Sequence, residues 1–441
     1  MFGRILVAAR GKTAFNIIRT CRELDIESVA VYAEKDRQAP YLRLATDVIC
    51  IGPRSVYQNE SQILAAAEIG DVEAIHPGIG PLAINAHFAE ICESHELAFV
   101  GPPSKVLARL TNKLEARRSA GEIDVPVLPA SEEPVVEKSA SLAIADEIGY
   151  PVLVRAIETG SGFGVRIAED EQLLVDALTA AAGDLARPGG IYLEKYLPNA
   201  RHIEVCVIAD THGHVVSLGE RDESLQRGHR TLVAEAPAPG IAAQHSKAMQ
   251  TAAIDFTRSL GFHGAGSVQF VLDGSGNFYF CGFRPVMTAM PSVTEAVTGI
   301  DMHSQELRIA SGEPLEFSQE DVSISGAAIG CRITAEDPQK RFSPTGGTLS
   351  LFSPPSGRGI RVDTSVWTGM EVEPGAEGAL AQITAHRMER GEAIAVLRVA
   401  LDEIVLDGVT TTLPLVRDLF GHTRFVKGEV DTHFVEEYFA G

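Results

Sequence analysis

The sequence predicts a mixed α/β and α+β protein, and three observations carry that prediction. From Arg4 to about Val100, short β-rich runs (Ile5–Ala8, Ser28–Tyr32, Val48–Ile51, Glu73–Ile75, Leu97–Val100) alternate with helical patterns (Thr13–Leu24, Glu60–Ile69, Ile84–Ser94). Such alternation predicts a parallel sheet covered by helices. Between Pro151 and Glu194 the order changes to strand (Pro151–Ala156), strand (Gly164–Ala168), helix (Glu171–Ala186), strand (Ile191–Glu194), the pattern of a small separate unit. Further on, Ser267–Leu272 and Phe278–Cys281 flank Asp273-Gly274-Ser275-Gly276-Asn277, turn residues between two period-two runs, which predicts a β-hairpin.

A chain of 441 residues has room for two or three domains with sizeable cores. Its net charge of −21 argues against nucleic acid or an anionic membrane as partner and favours a solvated acidic surface. The apolar run Ile5–Ala9 is too short for a signal segment and no run reaches the length of a membrane span, so a cytoplasmic protein is expected. The six cysteines (Cys21, Cys50, Cys92, Cys206, Cys281, Cys331) form no CxxC pair, which predicts free, mostly buried thiols.

In chain order, Arg10-Gly11-Lys12-Thr13 imitates the end of a P-loop but has Leu6 where the required glycine would stand. His76-Pro77-Gly78-Ile79-Gly80 is a strand-to-loop turn, with His76 read as structural. Val127–Ser139, rich in Pro and Glu, reads as a linker. The loop Arg155–Gly164 keeps three glycines (Gly160, Gly162, Gly164), as a main chain approaching phosphate requires, although Glu158 puts a carboxylate beside them. Then come Glu194-Lys195-Tyr196-Leu197, Arg201-His202-Ile203-Glu204, the run Glu220–Thr231, Glu235-Ala236-Pro237-Ala238-Pro239, the hairpin, and Cys331–Pro338, Phe342–Gly347 and Gly359–Asp363. Gly391–Ile404 is an amphipathic helix suited to core packing.

With these stretches in this order, the chain resembles biotin carboxylase, the ATP-grasp component of acetyl-CoA and related acyl-CoA carboxylases, from Met1 to its C-terminus. The resemblance implies an N-terminal parallel α/β domain (1–103), a linker (104–127), an ATP-grasp lid (128–197), and an ATP-grasp core with a β-rich C-terminal domain (198–441). It implies nucleotide contacts at Lys113, Arg155, Gly160, Gly162, Gly164, Glu194, Lys195, Leu197, His202, Gln226 and His229, and a biotin-side contact at Arg361.

At the reacting centre the sequence departs from the family. Between Ser267 and Thr294 the only carboxylate is Asp273, in the turn. Placed without gaps, Gln269 and Gly282 stand at the two glutamates that hold Mg²⁺ in the family, and Arg284 at the accompanying asparagine. Val286 stands at the bicarbonate-positioning arginine, Met290 at the general base, and Thr231 at a lysine that offsets bicarbonate charge. Turn glycines, prolines and apolar periodicity are kept while these positions change. The expectation is therefore a catalytically inactive family member, structural or regulatory, in an acyl-CoA carboxylase system. It would bind ATP or ADP without Mg²⁺, hold no metal or covalent biotin, and associate as a homodimer or with an active carboxylase subunit. Two alternatives stay open: an active ATP-dependent biotin carboxylase or other ATP-grasp ligase, and a metal-independent nucleotide sensor.

Overall fold

The computed structural model describes residues 1–441 except 136, 158–164, 181–189, 228–229, 288–289, 376–378 and 441. The expected phosphate-loop glycines Gly160, Gly162 and Gly164, with Glu158, and the expected contact His229 lie outside the described residues.

The N-terminal alternation folds as a five-stranded parallel sheet in the order Asp47–Cys50, Glu27–Tyr32, Arg4–Val7, Ala74–His76, Ala98–Phe99. Its central strand is apolar on both faces, as a sheet covered on both sides requires, and Ile5, Leu6 and Val7 are fully buried. Helix Gly11–Glu23 presents Ala14, Ile17, Ile18 and Cys21 to the sheet, the i, i+3, i+4, i+7 pattern of one face. The turns after the first and fourth strands meet at Gly78, where φ is +74° and a Cβ would stand 2.8 Å from that of Ala9. Only glycine satisfies both conditions there.

Residues 104–121, expected as part of a linker, form two helices, Ser104–Thr111 and Lys113–Gly121. Asn112 caps the second by accepting a hydrogen bond from the amide of Glu115 at 3.1 Å. Val106, Leu110, Ala116 and Ala120 bury into the core beneath the hairpin. The stretch from Val127 to Ser139 is likewise tied down, through bridges of Val127 to Phe280, Ala130 to Glu194 and Val135 to Ile191. The small unit follows, with antiparallel strands Arg166–Ala168, Val152–Ala156 and Ile191–Lys195 and helix Glu171–Ala180, whose expected continuation to Ala186 lies outside the described residues.

The rest of the chain is built on one eight-stranded antiparallel sheet. Its order is Phe278–Arg284, Gly264–Leu272, Arg201–Ala209, Val215–Asp222, Val233–Ala236, Ala327–Thr334, Ala379–Arg387, Ile360–Thr364. The stretch Glu235–Pro239, expected as a rigid connection, thus starts inside a strand, and the Glu235 carboxylate accepts hydrogen bonds from Arg390 on helix Arg390–Glu403 at 2.7 and 3.2 Å. The predicted hairpin is present, with Gln269 paired to Gly282. Cys21, Cys92, Cys206 and Cys331 are buried free thiols, Cys281 is half-buried and Cys50 exposed. Among the described residues, no helix is long and apolar enough to cross a membrane.

Candidate active site

A cavity of about 410 Å³ opens between the hairpin, the small three-stranded unit, helix Lys113–Gly121 and the turn after His76. It brings together seven of the residues expected from the sequence: Lys113, Arg155, Glu194, Gln269, Gly282, Arg284 and Val286. Ile79 and Ile84, from the first domain, add an apolar wall.

Arg117 also lines the cavity. It escaped the sequence reading, although it follows Lys113 by four residues and so must share its helix face. The buried Glu194 carboxylate receives Arg117 Nη1 at 3.0 Å and Arg155 Nη1 at 2.7 Å, while Lys113 Nζ donates to the Ala156 carbonyl at 3.1 Å. Among the described residues, Lys113, Arg117, Arg155 and Arg284 against the single carboxylate Glu194 leave the lining cationic, as a polyphosphate requires.

Strand register builds the floor. His202 and Glu204 alternate on Arg201–Ala209, with Gln269 opposite Glu204. Glu204 is fully buried. Its Oε1 accepts Gln269 Nε2 at 2.7 Å and pairs with Arg284 Nη2 at 3.1 Å, and its Oε2 accepts Ser267 Oγ at 2.8 Å and Arg221 Nη2 at 3.0 Å. Burial alone would raise its pKa, but Arg284, then His202 and Arg221, hold it well below the carboxylate range. His202 is the converse case. Burial would lower its pKa, yet the Cys281 and Glu204 side chains beside it, the latter at 3.6 Å, push it up to about 10. Arg221 continues to Glu223 at 2.9 Å, and Thr231 Oγ1 donates to the other Glu223 oxygen at 2.7 Å.

These donors do not fit a Mg²⁺ ion shared with phosphates, which needs free carboxylate oxygens. Gly282 offers no side chain, and a Cβ added there would sit 2.9 Å from Gln269 Oε1, so the glutamine amide fills the space between the two positions. Glu204 is the only carboxylate on this floor among the described residues of the hairpin and its neighbouring strand, and its oxygens are taken by two guanidiniums, a hydroxyl and an amide. Met290, expected at the general-base position, is 1% exposed among Ala234, Ala236, Val293, Val297 and Ala328.

Other expected residues are placed elsewhere. Lys195 Nζ donates to the Gly149 and Tyr150 carbonyls, Leu197 is half-buried beyond the strand end, and Gln226 lies on the short ribbon opposite Thr231. None of the three lines the cavity. Arg361 pairs with Glu295 at 2.5 Å and Asp363 at 3.0 Å near Lys12, which donates to Gln382 Oε1 at 2.7 Å. Burial lowers the pKa of Lys12, Asp363 raises it in part, and Arg332 and Arg361 lower it again, to about 8. Lys12 is therefore expected to react with an amine-acylating reagent with a midpoint near pH 8. Site-resolved mass spectrometry across pH checks this, and a profile like that of exposed lysines would refute it.

Over its length the chain matches three domain families in this order. Residues 1–107 match the biotin carboxylase N-terminal domain, 112–318 the carbamoyl-phosphate synthase L chain ATP-binding domain, and 330–437 the biotin carboxylase C-terminal domain. It is 39% identical over 446 residues to biotin carboxylase 1 of Bacillus subtilis, covering 99% of each chain. The chain belongs to the biotin carboxylase family. To the biotin carboxylase of Pseudomonas aeruginosa it is 40% identical, over 99% of this chain and 98% of the relative. Among solved structures, the biotin carboxylase domain dimer of Hydrogenobacter thermophilus 2-oxoglutarate carboxylase, in complex with MgADP, ADP and bicarbonate, superposes with a TM-score of 0.95 at 36% identity, covering 99% and 98% of the two chains. Campylobacter jejuni biotin carboxylase in a β-γ-ATP complex gives 0.96 at 35% identity, covering 99% of each. The biotin carboxylase fold expected from the sequence, with its N-terminal, ATP-grasp and C-terminal parts, is the fold observed.

Proposed function

We propose that the chain is a structural or regulatory member of a biotin-dependent carboxylase system, retaining the nucleotide cavity of a biotin carboxylase without its metal-dependent chemistry. One observation carries this reading: the floor of the cavity offers Gln269, Gly282 and an already paired Glu204 where a phosphate-bridging Mg²⁺ would need carboxylates. The acceptor is an acyl-CoA, as the sequence resemblance implies, or a 2-oxo acid, in line with relatives named for parts of pyruvate carboxylase and 2-oxoglutarate carboxylase. The test is gentle co-purification from the source cells. Recovery of a biotinylated carrier, a carboxyltransferase or an active biotin carboxylase is expected, and repeated recovery of none of them would overturn the proposal.

The cationic lining predicts ADP binding whose affinity changes by less than about threefold when Mg²⁺ is replaced by EDTA. Calorimetric titration checks it, and Mg²⁺-dependent tightening of tenfold or more, about 1.4 kcal/mol, would refute it.

A second reading, an active ATP-dependent biotin carboxylase, is favoured by 39–40% identity along the whole chain to proteins of that name and by a neighbour crystallised with MgADP and bicarbonate. It would require Mg²⁺ to be held by groups other than those at positions 269, 282 and 204. Bicarbonate- and biotin-dependent ADP release by the purified protein separates the two.

A further inference from the structure

In the interior between the first domain and the ATP-grasp core, three side chains outside the lining of the cavity converge. His76 ends the strand Ala74–His76, and His303 and Glu306 lie one turn apart on helix Met302–Ala310. The i, i+3 spacing puts the last two on one helix face. The residues are 1%, 5% and 7% exposed, and His76 Nε2, His303 Nδ1 and Glu306 Oε2 are each buried without a hydrogen-bond partner. All three atoms lie within 4.8 Å of one another.

The distances decide what this cluster suits. His76 Nε2 is 3.6 Å and His303 Nδ1 3.5 Å from the same oxygen, Glu306 Oε2. Both exceed the roughly 2.7–3.2 Å of an N–H···O hydrogen bond. They match instead the edge of a coordination tetrahedron, because ligands about 2.0–2.2 Å from a central ion stand roughly 3.3–3.6 Å apart. We propose that His76, His303 and Glu306 form a buried site for a divalent transition-metal ion of the zinc class. Two imidazoles and one carboxylate suit such an ion, whereas Mg²⁺ and Ca²⁺ prefer oxygen ligands throughout.

Neighbouring charge and space are compatible with this. Glu295 and Asp301 add negative potential at His303. His303 also borders a cavity of about 270 Å³ with Asn16, Thr20 and Glu295, from which water can complete a fourth position. One contact must yield: the Gly78 amide donates to His76 Nδ1 at 3.2 Å, and ligation through Nε2 places the ring proton on Nδ1. That bond is at the long limit for its type, and it is exchanged for a metal bond. The ion would fasten the fourth strand of the N-terminal sheet to a helix of the core, a cross-link between two parts of the chain rather than a reaction centre.

The experiment uses the full chain, stripped with chelator and then titrated with Zn²⁺ or Co²⁺. One equivalent is expected to bind, with the visible spectrum of tetrahedral Co²⁺ displaced by Zn²⁺, and with a rise in thermal midpoint. Because changes outside the ligand shell already cost about 10–100-fold in affinity, H303V and E306Q are each expected to lose more than about 100-fold. The near-isosteric E306Q guards against misfolding, and the wild-type Co²⁺ spectrum needs no variant. No ion bound, a wholly octahedral Co²⁺ spectrum, or binding unchanged in both variants would overturn the site and leave a buried histidine–glutamate cluster only.

Discussion

Given ATP, Mg²⁺, bicarbonate and free biotin, the purified chain is expected to release ADP at least about 10⁴-fold more slowly than an active biotin carboxylase run beside it. Two losses set that magnitude. A positioned general base contributes roughly 10²–10⁴-fold, and position 290 holds a methionine in an apolar cluster. Metal clamping of the transferred phosphoryl group contributes several kcal/mol more, at about 1.36 kcal/mol per tenfold in rate. Restoring carboxylates singly, as in Gln269→Glu or Gly282→Glu, is expected to leave the rate low. Arg284 already faces Glu204 at 3.1 Å and would pair with a new carboxylate nearby. Biotin-stimulated turnover within a hundredfold of the control would sink the non-catalytic reading, because no combination of these losses permits it.

The second large effect concerns stability. Arg221 is completely buried and joins Glu204 at 3.0 Å, Glu223 at 2.9 Å and Thr294 Oγ1 at 3.2 Å. Arg221→Met is expected to destabilise the protein by about 3–5 kcal/mol, since it takes from the buried Glu223 and Glu204 the guanidinium that both contact directly. Arg284→Met removes the partner of the same Glu204 whose side chain is 32% exposed, and leaves Arg221 in place. Its expected cost is smaller than that of Arg221→Met, because Arg221, Ser267 and Gln269 still satisfy the Glu204 carboxylate. Denaturant midpoints of the two variants check this contrast. Equal midpoints would show that the network shares its load differently from the burial seen here.

Local patterns announce most of the fold. The N-terminal strands and helices fall within two residues of their expected starts because apolar runs and helical periods alternate cleanly there. Helices Ser104–Thr111 and Lys113–Gly121 are hidden because each is short, with 8 and 9 residues, and they follow one another with only Asn112 between them. Asn112 with Glu115 three residues on is nevertheless a legible helix start. At the site, Gln269 and Gly282 are partners across the hairpin, whose turn Asp273–Asn277 is legible in the sequence. The neutralisation of Glu204 cannot be read from sequence, since Arg221, Ser267 and Arg284 reach it from three other strands. Arg361, expected on the biotin side, is bonded to Glu295 and Asp363, a pairing that depends on a helix and a strand far apart in sequence.

The long antiparallel sheet has a consequence for how this protein could be divided or inherited. The matched ATP-binding and C-terminal regions end at 318 and begin at 330, yet the strand Val233–Ala236 pairs directly with Ala327–Thr334. A cut at that apparent seam would bare two open strand edges, one on each half, and open edges recruit other chains. The two matched regions therefore share one sheet, and separating them is expected to leave each half prone to association through its exposed edge.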